Sequence, residues 1–573
     1  MTDIPEITHQ KKISGNKSQL LGWLLFALLV VAVLGSPFSQ APGLLTDVGT
    51  CISAMDQSQI GNSPDAFTSF HADPNDLRET LAQPLTWWPR SYGAIPMFVR
   101  QMLQTFGGNV NWGTTIQVTV VIFMVIGISG WLLLFRRCVT ADWLPWLGCA
   151  FILFRFSHAN GYLYDGGEFQ FWGVFPWILL LNLRAITSDL CCKGSNNAMA
   201  TAAGICTALL VLLKYSAGLT CLGIASGWCF VCWRHGVSRH RLLFFFSGAA
   251  ISSVLILTFG LMPNGNPTTQ TTAAQLTPLL WAPGSWLLAC SDLESLINRV
   301  FVAGDNPILS PLGPFGDGAA GWLSIPLALF FIVMLVSYKS SDKLGDKDEG
   351  QRVLLRDVIV VCCCVNVITL TLLLIRGSSI HMDARLIRCA SIATLPWILT
   401  ISVNLIRQKR IRVKSLGWVS LMLFIIGPAL YGAATLVDKS LIRSAYAANQ
   451  TGTSGIRHDL LDKDGNATKF FAELERLTAD DRLILIIDPA MQLDLPNSRI
   501  FMEHLHLRTN EQLAAKRSYN HLPENGILIA APSDLIQDGR MDTYMGLFPE
   551  PKVVRQDSSS FMPDWELIYI DNP

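Results

Sequence analysis

The stretch "NGYLYDGGEFQFW", residues 160–172, sets Asp165 and Glu168 three residues apart between two strongly apolar runs. A carboxylate where water is scarce either takes up a proton more readily or finds a cation, so the pair points to acid/base or metal chemistry. Gly166 and Gly167 let the chain turn sharply and bring both acids toward one point. Tyr162, Tyr164, Phe169, Phe171 and Trp172 around them suit a membrane–water interface. The plainer reading is that short loops of polytopic proteins carry Asp, Glu and Gly for turn chemistry alone. A third acid, Asp47, follows the first apolar run by about a dozen residues and precedes an amphipathic stretch at 48–55. A lone Asp in a long loop is usually solvated; nearness to a membrane end is what Asp47 shares with Asp165.

Cations are the natural counterpart to look for. Lys214, in "LLVLLKYSAG", stands between two apolar runs. An ammonium there is costly unless it is paired, faces a cavity or snorkels to the headgroups. The segment "IRGSSIHMDARLIRC" supplies Arg376, His381, Arg385 and Arg388, and Arg155, His158 and Arg90 are further basic candidates. Such a cluster asks for an anion, met either by lipid headgroups or by a substrate phosphate. Trp88, in "LTWWPRSYG", belongs to an interfacial aromatic cluster, and 91–104 reads as a helix lying in the membrane plane.

The elements that must hold these residues are mostly membrane spans. Half of the 573 residues are hydrophobic and 15% are charged, against roughly 25% in ordinary soluble domains. The mean hydropathy is +0.37. Eleven apolar stretches qualify as spans, near 20–35, 114–135, 143–156, 171–183, 198–213, 217–233, 242–261, 322–336, 358–374, 392–406 and 416–436. The pair around Lys214 reads equally as a re-entrant hairpin. With residues 1–19 in the cytoplasm, Arg136-Arg137, Arg184, "RHGVSRHR", the basic run near 338–356 and "RQKRIRVK" all fall on that side. The long loops 36–113 and 263–321 then lie outside, as does everything after residue 436.

Formal net charge is zero, which gives no polybasic footprint for nucleic acid. From Asp438 on there are 14 Lys+Arg against 21 Asp+Glu, so the tail is acidic and the part before it basic. Residues 437–573 read as a small α/β domain: "NATKFFAELERL" has helical spacing, and "RLILIIDP", "RIFMEH", "GILIAAP" and "WELIYID" are strand-like. No phosphate-cradling glycine loop accompanies them. The domain is either an accessory packed on the outer face or a module for an acceptor or partner. Loop 263–321, rich in Pro, Gly and Thr, suits an irregular cover. The 14 cysteines fall mostly in apolar runs and serve as small hydrophobes.

This pattern resembles the GT-C superfamily of polytopic membrane glycosyltransferases. The shared features are many spans, a long first outer loop with an acid soon after span one, a second acidic site between spans three and four, and a soluble C-terminal domain. "LTWWPRSYG" is similar to the "WPPGYP"-like element of that loop, with Arg90 where a second proline is common. The second acidic site is D-x-x-E here rather than D-x-E, and Val48 replaces the second acid of a first-loop "DE". The resemblance implies a GT-C-like helical membrane fold (20–436) in the plasma or inner membrane of a cell envelope. It further implies an inverting transfer from a polyprenyl-phosphate sugar to a glycan, lipid or protein acceptor. Asp47 is then the base, and Asp165 and Glu168 position the acceptor or hold a divalent ion, Mg or Mn. Lys214, Arg376, His381, Arg385, Arg388, Arg90, Arg155, His158, Trp88 and Tyr164 line the substrates. A transporter or flippase is the competing class, expected to show mid-membrane charges and a repeat between its halves. A ligase or polymerase of lipid-linked glycans on another fold would lean on late-loop arginines instead of an early acid.

Overall fold

The computed structural model describes residues 7–62, 66–69, 77–78, 81–85, 88–139, 142–156, 163–187, 196–258, 278–291, 293, 319–337, 347–376, 388–389, 391–516, 518–519, 521–548 and 552–571. The chain is mainly helical and divides into two compact units. One comprises Met1–Leu34, Phe123–His158 and Glu168–Leu436; the other comprises Gly35–Ile122, Ala159–Gly167 and Val437–Pro573.

Among the described residues, six helices are long and apolar enough to cross a membrane: Lys17–Phe38, Trp112–Cys138, Gly167–Thr187, Arg239–Thr258, Gly350–Leu373 and Ile411–Val437. The expected number was eleven. Four of the others form shorter apolar helices, Leu144–Phe156, Asn197–Leu212, Ile325–Ser337 and Ile392–Ile406. These fall below the roughly 20 residues needed to span hydrocarbon. The last expected span lies in the helix Ala217–His235. Where apolar helices pack against each other, small residues bring the backbones together. A Cβ at Gly204 would sit 2.0 Å from the Phe245 carbonyl, and one at Gly248 would sit 2.2 Å from that of Thr201. Those two glycines seat helix Asn196–Leu209 on helix Arg239–Thr258. A polar tie crosses three helices: Trp228 Nε1 donates to Asn182 Oδ1 at 2.7 Å, and Asn182 Nδ2 donates to Thr207 Oγ1 at 3.1 Å.

The segment expected to be an irregular cover is partly helical where it is described. Segment 263–321 contains a helix, Pro278–Cys290, with Trp286, Leu287 and Leu288 buried. Its apolar run "PLLWAPGSWLLAC" outweighs the turn-forming composition on either side. Residues 259–277 and 294–318 lie outside the described residues.

The second unit is built on a five-stranded sheet. Its strands are β5 (Leu483–Ile486), β6 (Arg499–Met502), β7 (Ile527–Pro532), β8 (Lys552–Ser558) and β9 (Trp565–Asp571), in the spatial order β6-β5-β7-β9-β8. β5 pairs in parallel with β6 and β7, while β9 runs antiparallel to β7 and β8. The amphipathic helix Ala467–Leu477 buries Phe470, Phe471 and Leu474, and Asn466 caps it by accepting from Lys469 N at 3.0 Å. The first long loop contributes two helices to this unit, Thr46–Ser58 and Ser91–Thr105. It also contributes the antiparallel pair β2 (Ala66–Ser69) and β3 (Leu81–Pro84), and the short strand β1 (Gly43–Leu44), which pairs in parallel with β4 (Leu163–Tyr164).

Asp494 fastens the entry to this unit. Its carboxylate accepts from Ser454 N (2.6 Å), Ser454 Oγ (2.7 Å), Thr453 Oγ1 (3.0 Å) and His458 Nε2 (2.7 Å). Burial pushes this carboxyl up, but the His458 bond and charge and the Ser454 donors outweigh it and leave the pKa below the ordinary 3.8. A depressed folded value means the contribution to stability is full above the unfolded pKa. It is lost as pH falls through the lower folded value. Asp494→Asn, which places an amide among these donors, should cost about 1–3 kcal/mol near neutral pH. In thermal unfolding followed against pH, the gap between wild type and variant should close below pH 3.8. A gap constant down to acid would remove Asp494 from this role.

Candidate functional site

Within the helical unit, Glu168 occupies the first turn of helix Gly167–Thr187, where the helix dipole favours an anion. It is 1% exposed and holds two cations. Oε1 accepts from Arg388 Nη1 at 2.9 Å and Oε2 meets Lys214 Nζ at 3.5 Å. Lys214 reaches it because the chain breaks there: helix Asn196–Leu209 ends in the 3-10 turn Leu210–Leu212, and helix Ala217–His235 begins just after. The ammonium is therefore paired and buried, not snorkelled.

Trp172, one turn along from Glu168, is fully buried, and two guanidinium groups lie near its ring. Arg155 stands 4.0 Å from its ring centroid and Arg388 stands 5.8 Å away. Arg155 is itself 0% exposed. It projects from a π-helical turn, Ile152–Phe156, a local widening found often at functional positions. Its guanidinium also lies 4.3 Å from the Phe154 ring, and Nη2 donates to the Cys290 carbonyl at 3.3 Å. The group thus gathers Lys214 and Arg388 on one carboxylate, with Arg155 joined to it through the Trp172 ring. Arg376, by contrast, is exposed at the end of helix Lys347–Ile375 and makes no ion pair with a described residue. His158, His381 and Arg385 lie outside the described residues.

Within the other unit, the β1–β4 ribbon brings the two remaining acids close in register. Leu44 faces Tyr164, and Leu45 N donates to the Tyr164 carbonyl at 3.1 Å. Asp165 follows directly, and Asp47 opens helix Thr46–Ser58. Gly166 turns the chain with φ +68°, and a Cβ there would touch Val48 Cγ2 at 3.1 Å and Tyr92 at 3.2 Å. Asp47 and Asp165 are half-buried, and Tyr164 is buried. Helix Ser91–Thr105 carries Arg90 at its N-cap, with Trp88 half-buried two residues before. That helix packs so close that a Cβ on Gly93 would lie 2.4 Å from the Cys51 carbonyl. Arg100 locks the pair by bonding Asp56 at 2.8 Å while lying 4.4 Å over Trp112.

The helix bearing Asp47 also rests on the carboxyl end of β5. Ser53 Oγ donates to the Pro489 carbonyl at 2.9 Å, and a Cβ on Gly49 would lie 3.1 Å from that of Ala490. Asp488, just past β5, caps the turn Pro489–Asp494 by accepting from Ala490 N. Glu503, just past β6, pairs with Arg508 and Lys516, and His504 follows it. Burial holds the His504 imidazole below the usual histidine value, against the pull of Asp488, Glu503 and Asp47. Asp488 and His504 were not singled out from the sequence. An acid at the carboxyl end of a parallel strand, as in "LIIDP", is the signal that marks such a position.

The arrangement revises one expectation. A divalent ion at Asp165 and Glu168 does not fit the donor set, because both Glu168 oxygens already face cations. Among the described residues no three His, Cys, Asp or Glu side chains group as a metal would require.

No family model matches the chain, and no curated protein matches it. Among solved structures it is similar to the crystal structure of ArnT from Cupriavidus metallidurans bound to undecaprenyl phosphate. The identity is 11% and the TM-score 0.46, over 95% of this chain and 97% of that one. At that distance the functional reading rests on the residues themselves.

Proposed function

We propose that the chain is an integral-membrane glycosyltransferase taking its sugar from a polyprenyl-phosphate donor. The reading is carried by one observation: in the unit holding the apolar helices, the buried carboxylate of Glu168 pairs with Arg388 and Lys214, and a third basic side chain, Arg155, lies 4.0 Å from the ring of Trp172 one turn along. Basic side chains gathered at buried positions among apolar helices suit an anionic ligand. A phosphate whose lipid tail stays in the bilayer is an anion delivered at that depth. Glu168 then acts as a positioning residue that holds Arg388 and Lys214 in place.

Asp47 is the base. The acceptor hydroxyl attacks the anomeric carbon from the face opposite the phosphate, and its proton passes to the Asp47 carboxylate. The anomeric C–O bond breaks, and its electron pair leaves on the polyprenyl phosphate, which the cations stabilise. Configuration inverts, and no metal is required by this scheme. Asp165, beside Val48 through Gly166, orients the acceptor, with Tyr164, Trp88 and Arg90 on neighbouring elements. The orientation proposed is amino terminus in the cytoplasm, with residues 437–573 and the first long loop outside. The GT-C resemblance of the sequence points the same way.

The test is chemical. Lipids extracted from cells lacking the protein should contain several-fold more polyprenyl-phosphate sugar than cells carrying it. An unchanged pool would rule out the donor class.

A further inference from the structure

Helix Ser91–Thr105, in the second unit, carries more apolar surface than its packing uses. Its inner face is taken: Tyr92, Pro96 and Val99 are buried, and a Cβ on Gly93 would lie 2.4 Å from the Cys51 carbonyl. On the outer side Phe98 is 63% exposed, Met102 is 45% exposed, and Phe106, the residue that caps the helix, is 81% exposed. Steps of four residues put these three on one ridge. Gln104, also exposed, lies about 200° round the helix from Met102. The outer surface thus divides lengthwise into an apolar strip and a polar one, and only the second suits water.

The helix is also fixed to the end of an apolar helix long enough to cross a membrane. Arg100 stands 4.4 Å over the Trp112 ring, and its Nε donates to the Val110 carbonyl at 3.4 Å. Trp112 opens the helix Trp112–Cys138, of 27 residues. At 1.5 Å per residue that helix runs about 40 Å, against about 30 Å for the hydrocarbon core, so its ends stand in the headgroup layer. Arg100 therefore holds helix Ser91–Thr105 at the level where lipid meets water. None of the exposed residues on that helix is charged, so a contact through this strip is apolar in kind. We propose that the ridge is a lipid-contacting surface: the helix lies in the membrane interface with Phe98, Met102 and Phe106 among acyl chains and Gln104 toward water. The proposal does not depend on the transferase reading.

The measurement is photocrosslinking of the full chain in phosphatidylcholine vesicles, with benzoylphenylalanine placed at one position at a time. Phe98→benzoylphenylalanine, Met102→benzoylphenylalanine and Phe106→benzoylphenylalanine should each gain the mass of one lipid on irradiation. The yield at each should be several-fold that of Gln104→benzoylphenylalanine, on the polar strip. All four side chains are exposed, so the fold does not rest on them, and the three ridge positions give independent readings. Lipid adducts as abundant at 104 as on the ridge would deny the helix a lipid face. No lipid adduct at any of the three ridge positions would overturn the proposal outright. Crosslinks from 98 and 106 to protein in place of lipid would overturn it too, and would give the ridge to a partner chain.

Discussion

Asp47→Asn lowers sugar transfer by a factor on the order of 10² to 10⁴ while the protein still folds and inserts. The size follows from removing a general base, whose contribution to a proton-coupled displacement lies in that range. The fold should survive because asparagine has the same shape and Asp47 is half-buried in a first helical turn. The lost favourable contact with the helix dipole costs only about 0.3–1 kcal/mol. The rest of that helix is held by Ser53 and Gly49 against 489–490 and by helix Ser91–Thr105. The assay measures transfer from a polyprenyl-phosphate sugar in membranes, with the variant's amount and melting point checked in parallel. Asp165→Asn supplies the contrast. A residue that orients the acceptor raises KM for the acceptor more than it lowers kcat, whereas the base variant lowers kcat at saturating acceptor. Full rescue of a deletion strain by Asp47→Asn would take the base role from this carboxylate. The proposed donor would then have to be reached by another acid, and Asp488 is the side chain whose placement near helix Thr46–Ser58 makes it the next to test.

What the sequence disclosed depended on whether the signal was local. The helices at 46–58 and 91–105, the helix at 467–477 and strands β5, β6, β7 and β9 follow from apolar periodicity within a few residues. Strand β8, "KVVRQDS", was missed because five of its seven positions are polar and it pairs on one side only, with β9. Span count was less legible, because hydropathy does not register where a helix breaks. The run around Lys214 is interrupted by a 3-10 turn, and the run at 143–156 ends in a π-helical turn. The candidate site divided in the same way. Acids near membrane ends could be picked out by position. That Glu168 is a clamp on two cations depends on Arg388, 220 residues away, and no window of sequence contains that contact. The grouping of 35–122 and 159–167 with the C-terminal residues is likewise a long-range fact.

Glu168→Gln destabilises the protein by about 3–5 kcal/mol, the cost of removing one partner from a buried ion pair. The asymmetry between partners makes the claim specific. Glu168 is 1% exposed and answers both Arg388 and Lys214, so its loss leaves two cations without it. Lys214→Met leaves Glu168 with its shorter contact to Arg388, at 2.9 Å against 3.5 Å for the lysine, and puts an apolar chain of similar length in an apolar setting. Its stability should fall by much less, because exchanging a buried ion for a hydrophobe is often near neutral. Its transfer activity should still drop if the ammonium meets the donor phosphate. A purely structural lysine would show no such separation of activity from stability. Unfolding of the purified variants in detergent, read alongside turnover, distinguishes the cases. In the double variant Glu168→Gln/Lys214→Met, the removal of one of the two cations that Glu168 held should recover part of the loss, a coupling of about 0.5–3 kcal/mol. Strict additivity would mean that the 3.5 Å contact carries no energy and that Arg388 alone is the partner Glu168 holds.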